Sequence, residues 1–277
     1  MNGVAPTIMS TVNRPLDDVL GRLLEGESGP LFLIGPSAAV IEELIEVGTD
    51  TDDVPTIRLL AAESTLKRAV DDFLVAGKAA DLIDDDLLSL RTVPSTPGND
   101  IVASGEDVTA LVVAGESAAA LSTDDDDFVD HAEGFYDDAW ENAEPFSLRT
   151  PPLSRIRSTL EENLGPEIET DFDAVLTSLE TARGDGEGLD EVTISLLVAA
   201  KNEALLYDIS KWGEDVRIAS KATFSRTKTN LEDLGLIDTE KVPIDVGRPR
   251  LRLKFGNEKL ADASADGLAS VAQSLMA

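Results

Sequence analysis

Cysteine is absent from this chain of 277 residues, which excludes disulfide bonds and thiolate metal sites. The single histidine, His131, leaves no histidine cluster for zinc, and it lies in an acidic stretch at 125–143 where we expect it on the surface. No run approaches the roughly 20 apolar residues of a membrane span, and the N-terminus lacks the basic and apolar segments of a signal peptide. We therefore expect a cytoplasmic protein without a metal site, a cofactor or a membrane partner.

Positive charge is scarce, because 23 lysines and arginines face 54 acidic residues for a net charge of -31. The acidic residues are spread along the chain, with runs at 84–86 and 124–127. This composition resembles that of proteins from salt-in halophilic archaea, whose acidic surfaces stay hydrated in molar salt. A functional acidic tail and a metal store are the alternatives.

The length favours two domains over one. Short apolar runs alternate with amphipathic stretches over 15–147, and this pattern predicts an α/β domain with a sensor-like role. Residues 1–14 are predicted to be poorly ordered. Strands are predicted at 31–34, 56–61, 88–93 and 101–104, helices at 16–24, 38–47, 64–76 and 128–143, and a hairpin around Gly115.

The second half of the chain is predicted to be mostly helical. Residues 151–187 form a helical connector that ends in a glycine-rich joint, 188–256 form a further domain, and 257–277 form one C-terminal helix. Within 188–256, helices precede a hairpin that turns at 247–249, which is the order of a winged helix-turn-helix.

The second helix of that motif, around 220–234, has the pattern of a recognition helix. Phe224, Leu231 and Leu234 are predicted to face inward, and Gly235 to end the helix. The polar side chains left for DNA are Lys221, Thr223, Ser225, Arg226, Lys228 and Thr229. Arg226 is the candidate base reader because a guanidinium can bond guanine O6 and N7 together, whereas Lys221 and Lys228 suit phosphates. A solvated helix face in a protein-interaction module is the alternative.

The wing strand alternates cations with apolar residues. Arg250, Arg252 and Lys254 are predicted on one face, and Leu251, Leu253 and Phe255 on the other. Arg248, at the tip, suits a narrow minor groove. Residues 217–254 hold nine basic and five acidic side chains, whereas 1–187 hold eleven and forty, so the basic residues are concentrated here. An ordinary charged surface strand is the alternative.

One weaker ligand signal lies in the first domain. Gly35, Pro36 and Ser37 follow a predicted strand and precede a helix, where free amides can bind an anion. Four polar residues at the start of a later helix could add to such a site: Ser64, Thr65, Lys67 and Arg68. A plain strand-helix turn is the alternative, because the Walker lysine and the Rossmann glycine series are missing. No catalytic set is evident.

Two stretches carry a family resemblance. Thr223 to Arg226, followed by Leu231 to Ile237, resembles the recognition helix of many archaeal and bacterial winged-helix regulators. The whole layout resembles haloarchaeal TbsP-type transcriptional regulators. These are similar in logic to the TrmB family, which couples a sugar-sensing domain to a winged helix in the reverse order. Residues 109–140 resemble the end of a phospholipase-D-like half domain, and the missing His-x-Lys motif of its active members argues against hydrolysis.

These patterns predict a sequence-specific regulator that binds double-stranded promoter DNA and is not an enzyme. We expect a homodimer and a small-molecule effector, with central carbon or sugar metabolism implied only by the resemblance. A stripe of Leu260, Leu268, Val271 and Leu275 could pair two copies or fold back onto its own domain. An adaptor that contacts the transcription machinery, and a phosphate- or nucleotide-using enzyme with a DNA-targeting tail, remain alternatives.

Overall fold

A computed structural model describes residues 8–25, 29–51, 53–94, 98–115, 117–179, 189–243 and 249–276. The chain divides into two compact units, one of Met1–Asp71 with Lys78–Leu148 and one of Asp72–Gly77 with Arg149–Ala277. The larger division falls between Leu148 and Arg149, and the sequence pattern predicts a boundary between 147 and 151. The sequence pattern places the short segment 72–77 in the first domain, whereas the structure groups it with the second.

The first unit is an α/β domain, as predicted. Within the described residues, its eight strands are β1 (Ile8–Pro15), β2 (Leu31–Ile34), β3 (Ile57–Ala61), β4 (Leu88–Thr92), β5 (Asp100–Ala103), β6 (Val108–Ala114), β7 (Ser117–Thr123) and β8 (Glu144–Pro145). They form one mixed sheet in the order β1-β7-β6-β5-β2-β3-β4-β8. Its helices are α1 (Leu16–Leu24), α2 (Ala38–Asp50), α3 (Glu63–Ala69), α5 (Asp126–Asn142) and, from Lys78 onward, α4 (Phe73–Asp84).

The middle of the sheet explains the continuous apolar runs of the sequence. β2, β3 and β4 are parallel, and every residue of β2 is buried. Parallel strands are covered on both faces and so read as unbroken hydrophobic segments. The β6-β7 pair is the predicted hairpin.

Two local predictions were wrong. Residues 8–14 belong to β1, which pairs antiparallel with β7, because the open edge of β7 offers backbone hydrogen-bonding groups to a strand; residues 1–7 lie outside the described part. The helix predicted at 64–76 is divided into α3 and α4. Asp72 lies at the break, where its carboxylate accepts a bond of 2.9 Å from the Leu74 amide and favours a new helix start.

The second unit is helical with one two-stranded sheet. Its elements are α6 (Leu153–Leu164), α7 (Pro166–Ser178), α8 (Glu191–Lys201), α9 (Leu206–Asp215), α10 (Lys221–Asp233), β9 (Ile237–Val242), β10 (Arg250–Phe255), α11 (Glu258–Ala261) and α12 (Ala265–Met276). From α8 to β10 the order is that of a winged helix-turn-helix, as predicted. Helix α8 is buried from Val192 to Ala200 and forms the centre of this unit.

The helices of the predicted connector do not form a separate segment. Ile156 on α6 and Phe172 on α7 share one hydrophobic core with residues of the winged helix such as Phe224 and Leu253. The Trp212 indole donates a hydrogen bond of 3.1 Å to the Thr159 hydroxyl and ties α9 to α6. Residues 180–188, including the predicted glycine-rich joint, lie outside the described part.

The C-terminal tail forms two helices, α11 and α12, where one was predicted. Leu260, Leu268 and Ala272 are buried in the core of their own unit, and Val271 and Leu275 pack against it partly exposed. The apolar stripe therefore folds back, which is the second of the two alternatives that the sequence left open.

Candidate nucleic-acid interface

Helix α10 is fixed by a cap at its start and by two buried residues. The Ser220 hydroxyl accepts a bond of 3.1 Å from the Thr223 amide, which satisfies an unpaired donor of the first turn. Phe224 and Leu231 are buried as predicted, but Leu234 is 53% exposed, so the prediction that it faces inward was wrong. Gly235 has a φ of +70°, and the turn that it makes places Leu236 in the core instead.

The outward side of α10 carries three of the predicted contacts together. Ser225, Arg226 and Thr229 are exposed, and neighbouring turns of a helix place such residues on one face. Thr229 donates a bond of 3.1 Å to the Ser225 carbonyl. In the part of the chain that the structure describes, the Arg226 guanidinium has neither an ion pair nor a hydrogen bond.

The two lysines of α10 are held by carboxylates. The Lys221 ammonium lies 2.8 Å from Glu214 of α9, and this hydrogen bond raises the pKa of Lys221. The Lys228 ammonium lies 2.6 Å from Glu232, and its side chain is only 12% exposed. Thr223 shares a bond of 3.0 Å with the Ser220 hydroxyl. These groups must exchange partners before they can bind a phosphate.

The wing has the predicted alternation, but its cations are partly neutralised. In the β9-β10 register Arg252 stands opposite Glu240, and Lys254 opposite Asp238, so acids share the cationic face. Lys254 forms an ion pair with Glu240, and Arg252 lies 3.9 Å from Glu203. Bonding to Lys254 lowers the pKa of Glu240, which stays ionised.

Arg250 differs from the other wing cations. Its guanidinium carbon lies 3.4 Å from the ring centroid of Tyr207 on α9, and no carboxylate pairs with it among the described residues. Sequence reasoning did not select Tyr207, because a stacking partner 43 positions away leaves no local signal. Arg248, predicted at the tip of the wing, lies outside the described residues.

A glycine controls the approach of α9 to α10. A Cβ placed on Gly213 would lie 2.4 Å from two ring atoms of Phe224, so only hydrogen fits there. Phe224 itself is completely buried, and its ring cannot move aside without displacing other core atoms. This contact sets the spacing between the two helices of the helix-turn-helix.

The predicted anion site of the first unit is filled from within the protein. The Ser37 amide donates a bond of 3.2 Å to Asp100, and the Ser37 hydroxyl caps α2 at Val40. Burial raises the pKa of Asp100, and the bond from Ser37 opposes that effect. Lys67 is bonded to Glu63 at 2.7 Å. The remaining predicted residues lie on α3, where Ser64 and Arg68 are exposed and Thr65 is half-buried.

Membrane-spanning helices and metal-binding clusters are not found in the described ranges. There, no helix is long and apolar enough to cross a membrane. The same ranges contain no group of three or more histidine or acidic side chains placed to hold a metal ion.

Three solved structures are partly similar to this chain. An archaeal chromatin protein, TrmBL2, whose structure is described as showing a novel mode of DNA binding, matches 50% of this chain at 14% identity with a TM-score of 0.36. Nuc from Salmonella typhimurium, a phospholipase D family member, matches 51% of this chain at 10% identity with a TM-score of 0.36. NucT from Helicobacter pylori matches 51% of this chain at 9% identity with a TM-score of 0.35. The matches span 54%, 98% and 99% of those chains.

Family models account for almost the whole sequence. No curated protein is significantly similar to it. The N-terminal domain model of the TbsP-like transcriptional regulators matches residues 9–151, and the C-terminal helix-turn-helix model of the same family matches 152–273. Both models follow the order of the α/β unit and the winged helix described above. The chain therefore belongs to the TbsP-like transcriptional regulators, and its C-terminal unit is their DNA-binding helix-turn-helix domain.

Proposed function

We propose that this regulator reads a specific promoter sequence, with α10 in the major groove of double-stranded DNA and Arg226 bonded to a base. The observation that supports this role is the freedom of Arg226. It is exposed and unpaired within the described residues, whereas Lys221 and Lys228 on the same helix are bonded to carboxylates. A guanidinium that is already free does not have to break an ion pair to bond guanine.

The other polar residues are proposed to position the protein on the DNA. Ser225, Thr229 and Thr223 have hydroxyls for phosphates or bases, and Lys221 would exchange Glu214 for a phosphate. Lys228, Arg252 and Lys254 are proposed to add affinity in the same way, each by leaving its carboxylate partner. Arg248 remains a predicted minor-groove contact.

The experiment is selection of fragmented genomic DNA in molar KCl, followed by affinity measurements on the selected duplex. We expect Arg226→Ala to weaken binding by about 1–3 kcal/mol, or about 5- to 150-fold, and to relax the preference at one position. Arg22→Ala removes an exposed arginine of α1 in the first unit, outside every proposed site, and serves as the control. Selection of no sequence by the wild-type protein would refute the proposed function.

We infer that the regulator acts as a homodimer. One winged helix covers a short half-site, and pairing of two copies gives affinity through matched spacing. Leu260 and Leu268 are buried within their own unit, so they are not available to a partner. Light scattering in molar salt tests this inference, and a strictly monomeric protein at micromolar concentration would overturn it.

We also propose an effector site at the carboxyl ends of β2 and β3. These strands are parallel neighbours, so Ser37, which caps α2, and Ser64, in the first turn of α3, lie at the same edge of the sheet, where α/β domains usually bind ligands. Thr65, Lys67 and Arg68 would complete it. An anionic metabolite would compete with the Asp100 carboxylate for the Ser37 amide.

We further propose that the protein is not an enzyme, that it comes from a haloarchaeon, and that it acts in the cytoplasm where its DNA is. Membership of a regulator family supports the first statement, and the net charge of -31 supports the second.

A further inference from the structure

Tyr207 and Arg250 form a stacked pair on the winged helix. The guanidinium carbon lies 3.4 Å from the ring centroid, the closest of the four arginine-ring contacts in the described ranges. Stacking holds the planar guanidinium in one orientation, so its N–H donors point in fixed directions. Stacking therefore prepares Arg250 to bind a ligand at little cost in side-chain entropy.

Among the residues that the structure describes, the Arg250 guanidinium has no hydrogen-bond acceptor. Nη1 of Arg250 is buried and has no hydrogen-bond partner among the described residues. Buried polar groups of native proteins are normally bonded, so an unpaired charged donor requires a partner. The Tyr207 ring is 43% exposed, so the pair borders the solvent.

The pair lies where the wing meets α9, the helix that precedes the proposed recognition helix. Tyr207 is in the first turn of α9 and Arg250 begins β10, so the contact joins the wing to the helix-turn-helix. The same helix-turn-helix carries Lys211 and Lys221, whose pKa values are raised mainly by hydrogen bonds to Asp215 and Glu214.

We propose that Tyr207 and Arg250 together bind one phosphate of the DNA backbone, beside the groove that α10 enters. The guanidinium donates N–H hydrogen bonds to the phosphate oxygens, and the Tyr207 hydroxyl donates a further hydrogen bond to the same phosphate. Tyr207 is thereby a positioning residue for Arg250 as well as a contact. This proposal rests on the proposed DNA-binding function and names a separate part of its interface.

The test measures binding of the full-length protein to the selected duplex and to an unrelated duplex of equal length. Tyr207→Leu removes both the stack and the hydroxyl, and Arg250→Lys keeps the charge but loses the planar stack. We expect each to weaken binding of both duplexes about tenfold, as for a hydrogen bond to a charged group. The double variant should lose little more than either single one, because the two residues act on the same phosphate. Tyr207→Phe keeps the stack and should lose less.

Lys241→Gln is the control, because Lys241 is an exposed cation on the opposite face of the same hairpin. It should bind both duplexes nearly as the wild type does. Melting curves of Tyr207→Phe and Arg250→Lys verify folding, since neither change leaves a cavity in the core.

Three results would overturn the proposal: unchanged affinity in Tyr207→Leu, wild-type affinity in Arg250→Lys, or loss confined to the selected duplex. The second result would assign Arg250 a purely electrostatic role, and the third would make the pair a base reader. All three leave the dependence on Arg226 intact. Failure of the proposed function would instead show as absence of sequence selection by the wild-type protein.

Discussion

Replacement of Gly213 by alanine tests whether the contact between α9 and α10 determines the shape of the DNA-binding unit. Within an exposed helix, glycine to alanine normally stabilises a protein by about 0.5–1 kcal/mol, because glycine loses more backbone entropy on folding. At Gly213 the added carbon would meet the Phe224 ring at 2.4 Å, closer than real Cβ contacts allow.

The structure decides the sign of this effect. Phe224 is completely buried, so relief requires movement of α10 or of the surrounding core. Insertion of a methyl group into a packed core costs about 1–3 kcal/mol, which exceeds the gain in helix propensity. We expect a net destabilisation of about 1–2 kcal/mol. A displaced α10 should also weaken DNA binding beyond the loss of stability.

Gly134 of α5 offers a matched control. It is a helical glycine with open space where a Cβ would lie, since no atom comes within 4 Å of that position, so Gly134→Ala should stabilise the first unit by about 0.5–1 kcal/mol. Denaturant unfolding can be followed by tryptophan fluorescence, since Trp212 adjoins Gly213 and Trp140 lies on α5. If Gly213→Ala is as stable as the wild type and binds DNA equally well, the proposed role of this contact is wrong.

Three further predictions concern stability, charge and pH. In a urea titration, Leu236→Ala should lower the free energy of unfolding by about 2–4 kcal/mol, because Leu236 is buried. Leu234→Ala should change it by less than about 1 kcal/mol, because Leu234 is exposed, and equal losses would contradict this prediction. Glu240→Gln should release Lys254 from its ion pair and raise the affinity for every duplex, with a salt slope steeper by about 0.9. Unchanged affinity and slope in a salt titration would show that the ion pair does not limit DNA binding. Burial, followed by repulsion from Asp190, raises the pKa of Glu191 above 4.5, so its ionised form opposes folding. Glu191→Gln should therefore be more stable than the wild type near neutrality, and the difference should vanish as the pH falls below 4.5; an equal difference at both pH values would refute this cause.

Much of the architecture follows from the sequence, because hydrophobic period and turn residues act locally. The unbroken apolar run of β2 and the hairpin at Gly115 were correctly predicted, as was the order of the winged helix. The buried positions Phe224 and Leu231 also follow from helical spacing. The exposed position of Leu234 does not follow from that spacing. The helical pattern extends to Leu234, whereas the left-handed turn at Gly235 redirects the chain there.

The strand at 8–15 illustrates a second limit. Its pattern is weak, and it is ordered by pairing with β7, which lies more than a hundred positions later in the chain. The tail was likewise undecided in sequence, because one apolar stripe suits an interface between copies as well as an intramolecular core.

The charges of the DNA-binding surface show the same division. Sequence alone identified where the basic residues are concentrated and that Ser225, Arg226 and Thr229 face outward, since both depend on composition and helical period. Only the tertiary structure decided which cations are free. Lys221 meets Glu214 across two helices, Arg252 meets Glu203 from another element, and Arg250 finds an aromatic ring instead of an acid. Coulomb attraction and stacking depend on distances in space, and distances between separate elements are set by the packing of the core, which no local pattern encodes.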